Sequence, residues 1–112
     1  MHVVIVGAGE VGWYLAQRLG AEGHDVVVIE QNKAIASAIS AQLDVQVVVG
    51  NATLPSTMKA ARIDRADLLA GVTQNDEVNL IASLLAKEAG VRQTVVRIQT
   101  EELRDEAGAR LR

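Results

Sequence analysis

Gly7-Ala8-Gly9-Glu10-Val11-Gly12 follows directly on the β-branched run Val3-Val4-Ile5-Val6. Four apolar residues are too few for a helix and read as a strand. The glycines end it in a tight turn, and Val11, Leu15, Ala16 and Leu19 then share one helical face. The same succession recurs down the chain. Gly20 and Gly23 break the helix, Val26-Val27-Val28-Ile29 repeats the strand signature, and Ile35, Ile39 and Leu43 form the next stripe. Residues 45–49 predict a third strand ending at Gly50, after which Thr53 and Pro55 open a helix that turns Met58, Ala61 and Ile63 inward. Residues 67–72 predict a fourth strand, followed by a helix over about 75–89 with Ile81, Leu84 and Leu85 inside. Residues 94–98 predict a fifth strand, and Thr100 caps a last helix with Glu101 and Glu102 in its first turn.

Strand runs without polar alternation, separated by helices, imply a parallel sheet covered on both faces. Right-handed crossovers then leave a doubly wound, Rossmann-like α/β fold in three αβα layers. The 112 residues suit one domain. The closing stretch Gly108-Ala109-Arg110-Leu111-Arg112 does not supply the sixth strand that usually completes such a sheet, so residues 1–112 are expected to be a fragment of a longer chain.

Composition narrows the function. Eleven basic and fourteen acidic residues give a net charge of −3, which offers no pull toward nucleic acid or an anionic membrane. Trp13 and Tyr14 are the only aromatic residues, too few for a base-stacking platform. The absence of cysteine excludes disulfides, thiolate nucleophiles and cysteine-bound zinc. No segment approaches the roughly 20 apolar residues of a membrane span, and the apolar start lacks the basic flank of a signal peptide. The expected address is the cytoplasm.

The glycine run has the G-x-G-x-x-G spacing in the context that gives it meaning, between a first strand and a first helix. Gly7 permits the turn, Gly9 lets a pyrophosphate approach the backbone, and Gly12 lets the helix press on the strand. The helix N-terminus offers free N–H donors. Glycines also mark ordinary strand-to-helix turns. Glu10 and Val11, in the first helical turn, border the same place. Glu30 ends the second strand 18 residues past Gly12, where a carboxylate can accept from both ribose hydroxyls. Its charge repels a 2′-phosphate, favouring NAD over NADP; a solvated strand-end acid is the alternative. Gly50-Asn51-Ala52-Thr53 lies at the same sheet edge, with Asn51 suited to an adenine edge and Ala52 leaving room for the ring, or Thr53 merely capping a helix. Thr73 begins a polar stretch after the fourth strand, where Asn75 or Asp76 also suits a helix cap. Arg97, expected inside the fifth strand, calls for an anionic partner, either a phosphate or a carboxylate.

His2 and His24 are expected at the surface, and no histidine–carboxylate spacing suits a metal. No catalytic residues are assigned, because no nucleophile elbow or paired carboxylates appear. Glu101, Glu102, Asp105 and Glu106 read as a solvated helix face or a contact with a neighbouring subunit.

The glycine run, Glu30, Gly50-Asn51-Ala52-Thr53, the stretch Thr73-Gln74-Asn75-Asp76-Glu77-Val78-Asn79 and Val96-Arg97-Ile98 occur in an order that resembles the N-terminal lobe of Trk-type potassium uptake proteins, the RCK or KTN domain. The resemblance spans essentially the whole chain. It implies a cytosolic regulatory domain, peripheral on the inner membrane face, that serves a membrane-embedded potassium transporter or channel subunit. In that family the lobe binds NAD(H), or in some members ATP or ADP, and assembles into dimers and tetrameric rings. Carried over by position, Gly7, Gly9, Gly12, Glu30, Asn51, Ala52, Thr73 and Arg97 would line the nucleotide site. The carboxylate of Glu10 stands where ATP-binding members can place a base, which favours NAD(H) over ATP. The competing class is the cofactor half of an NAD-dependent dehydrogenase; a scaffold with a vestigial pocket is a third.

Overall fold

The computed structural model describes residues 1–103. Five strands, β1 (His2–Val6), β2 (Asp25–Glu30), β3 (Gln46–Val49), β4 (Leu68–Gly71) and β5 (Gln93–Val96), form one all-parallel sheet in the order β3-β2-β1-β4-β5. Four helices connect them: α1 (Glu10–Ala21), α2 (Lys33–Gln42), α3 (Pro55–Ala60) and α4 (Asp76–Glu88). A 3-10 turn (Ile63–Arg65) precedes β4. The chain winds outward from β1 to one edge, crosses back over it after α3, and winds to the other. This is the expected doubly wound α/β architecture.

Alternation along the central strands sorts the core into two layers. Val3, Ile5, Val26, Val28 and Ala70 pack with Ala16 of α1 and Ile39 of α2. Val4, Val6, Val27, Ile29 and Leu69 pack on the opposite face with Met58, Ala61, Ile63, Ala82 and Ala86. Ile5 and Leu69 are completely buried. Truncating either to alanine should cost about 2–5 kcal/mol.

The register brings the strand ends to one rim. Val6 stands beside Ile29 and Gly71, and Glu30 beside Val49. The ladder continues one bond past the strands: Gly7 N donates to Ile29 O at 2.8 Å, Gly50 N to Glu30 O at 3.1 Å, Val72 N to Val6 O at 2.9 Å, and Arg97 N to Gly71 O at 2.9 Å. All five loops that follow strands therefore leave from a single edge.

Several expectations need correction. The buried face of α4 comprises Asp76, Asn79, Ala82, Ser83 and Ala86, while Ile81 and Leu84 are exposed. Gly71 explains the inversion: a Cβ there would lie 3.2 Å from the Asn79 Cα, so helix backbone sits almost on the strand and the Asn79 face of α4, not that of Ile81 and Leu84, meets the sheet. Val11 and Ile35 are likewise more than a third exposed. Thr53 caps nothing, because α3 starts at Pro55 behind an N-cap at Leu54. Arg97 lies one residue beyond β5 rather than within it.

His2 is not a surface residue. β1 is the central strand, so even its first side chain is covered. The ring sits between Asp25 Oδ2, 2.9 Å from Nδ1, and the Ala61 carbonyl, 3.1 Å from Nε2. Both ring nitrogens therefore have a polar partner inside the protein. The hydrogen bond from His2 is the largest influence holding the Asp25 carboxyl below its usual range. Residues 101–103 are helical, as expected, whereas Asp105, Glu106 and the stretch 108–112 lie outside the described residues.

Candidate functional site

The strand ends and the loops beyond them enclose a cleft of about 700 Å³ at the carboxyl rim of the sheet. Its position, where strand order reverses on either side of β1, is the place at which open parallel sheets bind ligands.

One wall is the turn from β1 into α1. Gly7 has φ +103°, in the left-handed region that favours glycine. A Cβ on Gly12 would lie 1.7 Å from the Gly7 carbonyl oxygen, so only glycine lets α1 descend on the turn. Around Gly9 the reverse holds: a Cβ would meet no atom within 4 Å. Gly9 is also the N-cap of α1 and brings no side chain to its first N–H groups. Those donors, with the positive end of the helix dipole, face the cleft.

Glu30 closes the next side. Its Oε1 accepts from Ala8 N and its Oε2 from Asn32 N, each at 2.8 Å. Both bonds fix the carboxylate in place, and each oxygen keeps capacity for a further donor. Asn32 also caps α2, accepting from Ile35 N at 3.0 Å. Ala52 is nearly buried in the cleft wall, whereas the side-chain oxygen of Asn51 is engaged in a local turn with Thr53 N at 2.9 Å and Thr53 Oγ1 at 2.7 Å. The opposite wall carries Thr73 after β4 and Arg97 after β5. Among the described residues Arg97 forms no salt bridge.

Of the residues singled out from sequence, Gly7, Gly9, Glu10, Val11, Glu30, Ala52, Thr73 and Arg97 line the cleft; Gly12 and Asn51 do not. Gly12 acts behind the lining, through helix placement. Sequence reasoning missed Ile35 and Val78, which supply apolar wall. Each lies in the first turn of a helix that starts at this rim, and a residue in that place overhangs the strand ends. That positional signal was available for both.

Asp76, at the cleft's outer mouth, accepts from Gln99 N at 2.9 Å and Thr100 N at 2.8 Å. The Thr100 side chain, followed by these two backbone donors, holds its carboxyl below the usual range. Among the described residues no group of three or more histidine and acidic side chains is gathered as for a metal, and no helix is long and apolar enough to cross a membrane.

Comparison with known proteins places this geometry in a family. A Trk system potassium uptake protein TrkA homolog of Archaeoglobus fulgidus is 43% identical over 105 residues, which is 94% of this chain but 24% of that protein. The chain therefore spans about a quarter of that relative. Among solved structures, the NAD(P)-binding domain of an exopolyphosphatase-related protein from Archaeoglobus fulgidus superposes with a TM-score of 0.80 at 18% identity, covering 96% of this chain and 80% of that one. The GsuK channel bound to NAD gives 0.69 at 21% identity, over 84% of this chain and 21% of the channel chain. At those identities the likeness is one of fold. A family model described as the TrkA-N domain matches residues 3–109, and the chain belongs to the TrkA-N domain family.

Proposed function

We propose that residues 1–112 form an NAD(H)-binding regulatory lobe of a longer protein that controls potassium uptake, with no chemistry of its own. One observation carries the reading: the uncapped N-terminus of α1 and the fixed carboxylate of Glu30 face the same cleft. The first suits a pyrophosphate and the second an adenosine ribose. The space beside Gly9 that a side chain would fill agrees with a ligand lying against the backbone there. In this reading Ala52 and Ile35 serve the adenine, Asn51 acts by holding the turn that carries Ala52, and Thr73 and Arg97 meet the remainder of the dinucleotide. Gly12 contributes by setting the helix, and Glu10 and Val11 border the phosphates.

The carboxylate of Glu30 disfavours NADP, and that of Glu10 disfavours the terminal phosphate of ATP. Support for the potassium system comes from the TrkA homolog, at 43% identity over most of this chain. The GsuK channel, seen with NAD on a similar fold, is in keeping with the ligand. The partner in this reading is a membrane-embedded transporter or channel subunit at the inner face of the cell membrane, and the full-length protein works as a dimer or tetramer. Control requires unequal ligand affinity in two conformations, since equal affinity shifts no equilibrium.

Calorimetric titration with NADH, NAD+, NADPH and ATP tests the ligand. Tight NADH binding with NADPH and ATP weaker is expected; no binding, or a preference for ATP, overturns the assignment. Potassium flux through the full-length protein and its membrane partner in vesicles tests the role. NADH should change the flux of wild type and leave Glu30→Ala indifferent. Substrate-dependent NADH oxidation would instead point to a dehydrogenase.

A further inference from the structure

Asn79 is completely buried and does not line the cleft. Its Oδ1 accepts from Thr73 N at 3.0 Å and Thr73 Oγ1 at 2.7 Å, while its Nδ2 donates to Thr73 O at 3.0 Å and Arg97 O at 2.8 Å. Two acceptances and two donations are the full capacity of a carboxamide. The absent side chain of Gly71 lets α4 carry Asn79 close enough to make them. Thr73 in turn abuts the glycine turn: a Cβ on Gly7 would lie 2.9 Å from Thr73 Cγ2. One buried side chain thus joins the loop after β4 to the segment after β5, and through Thr73 it bears on the turn beneath the cleft.

We infer that Asn79 is a positioning residue of the cleft. It sets Thr73 and Arg97 as one rigid wall for the part of a dinucleotide beyond its adenosine, and it touches no ligand itself. The inference rests on the NAD(H) reading. The facing wall is fixed by hydrogen bonds in which neither Asn79 nor Thr73 takes part, Glu30 with Ala8 and Asn32, and Asn51 with Thr53. Disturbing Asn79 should therefore loosen one end of the ligand only. A merely structural asparagine would weaken every ligand alike as the fold deteriorates. Separate anchoring of the two walls is what makes the distinction measurable.

The experiment compares AMP, which occupies the adenosine half alone, with NADH. In Asn79→Ala and Asn79→Asp, NADH affinity should fall tenfold or more while AMP affinity stays within twofold. The aspartate keeps the acceptors for Thr73 but sets a charge against the Thr73 and Arg97 carbonyls, so it should not rescue. Equal losses for both nucleotides, or unchanged NADH affinity in a folded variant, overturn the inference alone. Wild type that binds neither nucleotide overturns the NAD(H) reading and the inference with it. Amide exchange in wild type decides the matter if both variants unfold. NADH should slow exchange at the Thr73 and Arg97 amides and AMP should not; an equal effect from AMP counts against the proposal.

Discussion

The carboxylate of Glu30 accepts the N–H of Ala8 at 2.8 Å, so the acid that ends β2 also holds the glycine turn that follows β1. The bond couples two parts of the cleft that the sequence separates by 22 residues. On the proposed NAD(H) reading, a substitution at Glu30 acts twice, removing a ribose acceptor and releasing the turn. Glu30→Ala should lose about 1.5–3 kcal/mol of NADH binding, roughly ten- to a hundredfold in affinity. Calorimetry on folded protein checks it, and unchanged affinity would remove Glu30 from the site.

Gly9 and Gly12 should separate binding from stability. Gly12→Ala drives a methyl to within 1.7 Å of the Gly7 oxygen, and overpacking of this kind costs about 1–3 kcal/mol or more. Its thermal midpoint should drop by several degrees or more. Gly9→Ala has open space and an ordinary extended backbone, so its midpoint should hardly move while NADH affinity falls. Midpoints and affinities measured side by side check the pair; a stable Gly12→Ala would mean that the close approach is not needed.

At Glu10 the sign of the charge is the variable. The residue is exposed in the first turn of α1 and borders the cleft. Like charges about 5 Å apart repel by roughly 3 kcal/mol at an effective dielectric near 20, and less where water intrudes. Glu10→Arg should raise ATP affinity relative to NADH by about tenfold, read by competition titration at low salt. An unmoved ratio removes Glu10 as the discriminating group.

Asp76 predicts a pH dependence. Hydrogen bonds from Thr100 and Gln99 lower its pKa from 3.8 in the folded chain. The unfolded state therefore takes up its proton first as pH falls. The stability that Asp76 contributes is complete above the unfolded value and is lost as pH drops through the folded one. Asp76→Asn should unfold at lower urea than wild type near neutrality, and the gap should close in strong acid. A gap that stays constant with pH would show that the carboxylate's charge is not what matters.

The legible and illegible parts of the molecule differ for physical reasons. The β-branched runs and the G-x-G-x-x-G spacing announce a parallel sheet and its glycine turn, because backbone preferences there are local. The burial of α4 was not legible: Leu84 and Ile81 look like core, yet the approach permitted by Gly71 turns Asn79, Ala82, Ser83 and Ala86 inward. His2 escaped for a similar reason. Its partners, Asp25 and Ala61, arrive by strand pairing and by a crossover, and neither is near in sequence. The candidate site was read mainly through strand ends, which share one rim in any such sheet. The engagement of the Asn51 oxygen by Thr53 depends on a local turn whose geometry composition does not reveal.

The strand order has a consequence for how much protein a cell keeps. Glu30 and Ala52 come from the half of the chain before the crossover, Thr73 and Arg97 from the half after it, and in the sheet the two halves join at β1. The cleft does not exist until the whole sheet has assembled, so a ligand held by both walls has no partner in a half-folded chain. At a concentration about one hundred times its Kd such a ligand adds about 2.7 kcal/mol to the folded state. That is a substantial fraction of the stability of an ordinary domain. The nucleotide pool would then set the lifetime of the lobe against proteolysis as well as its conformation.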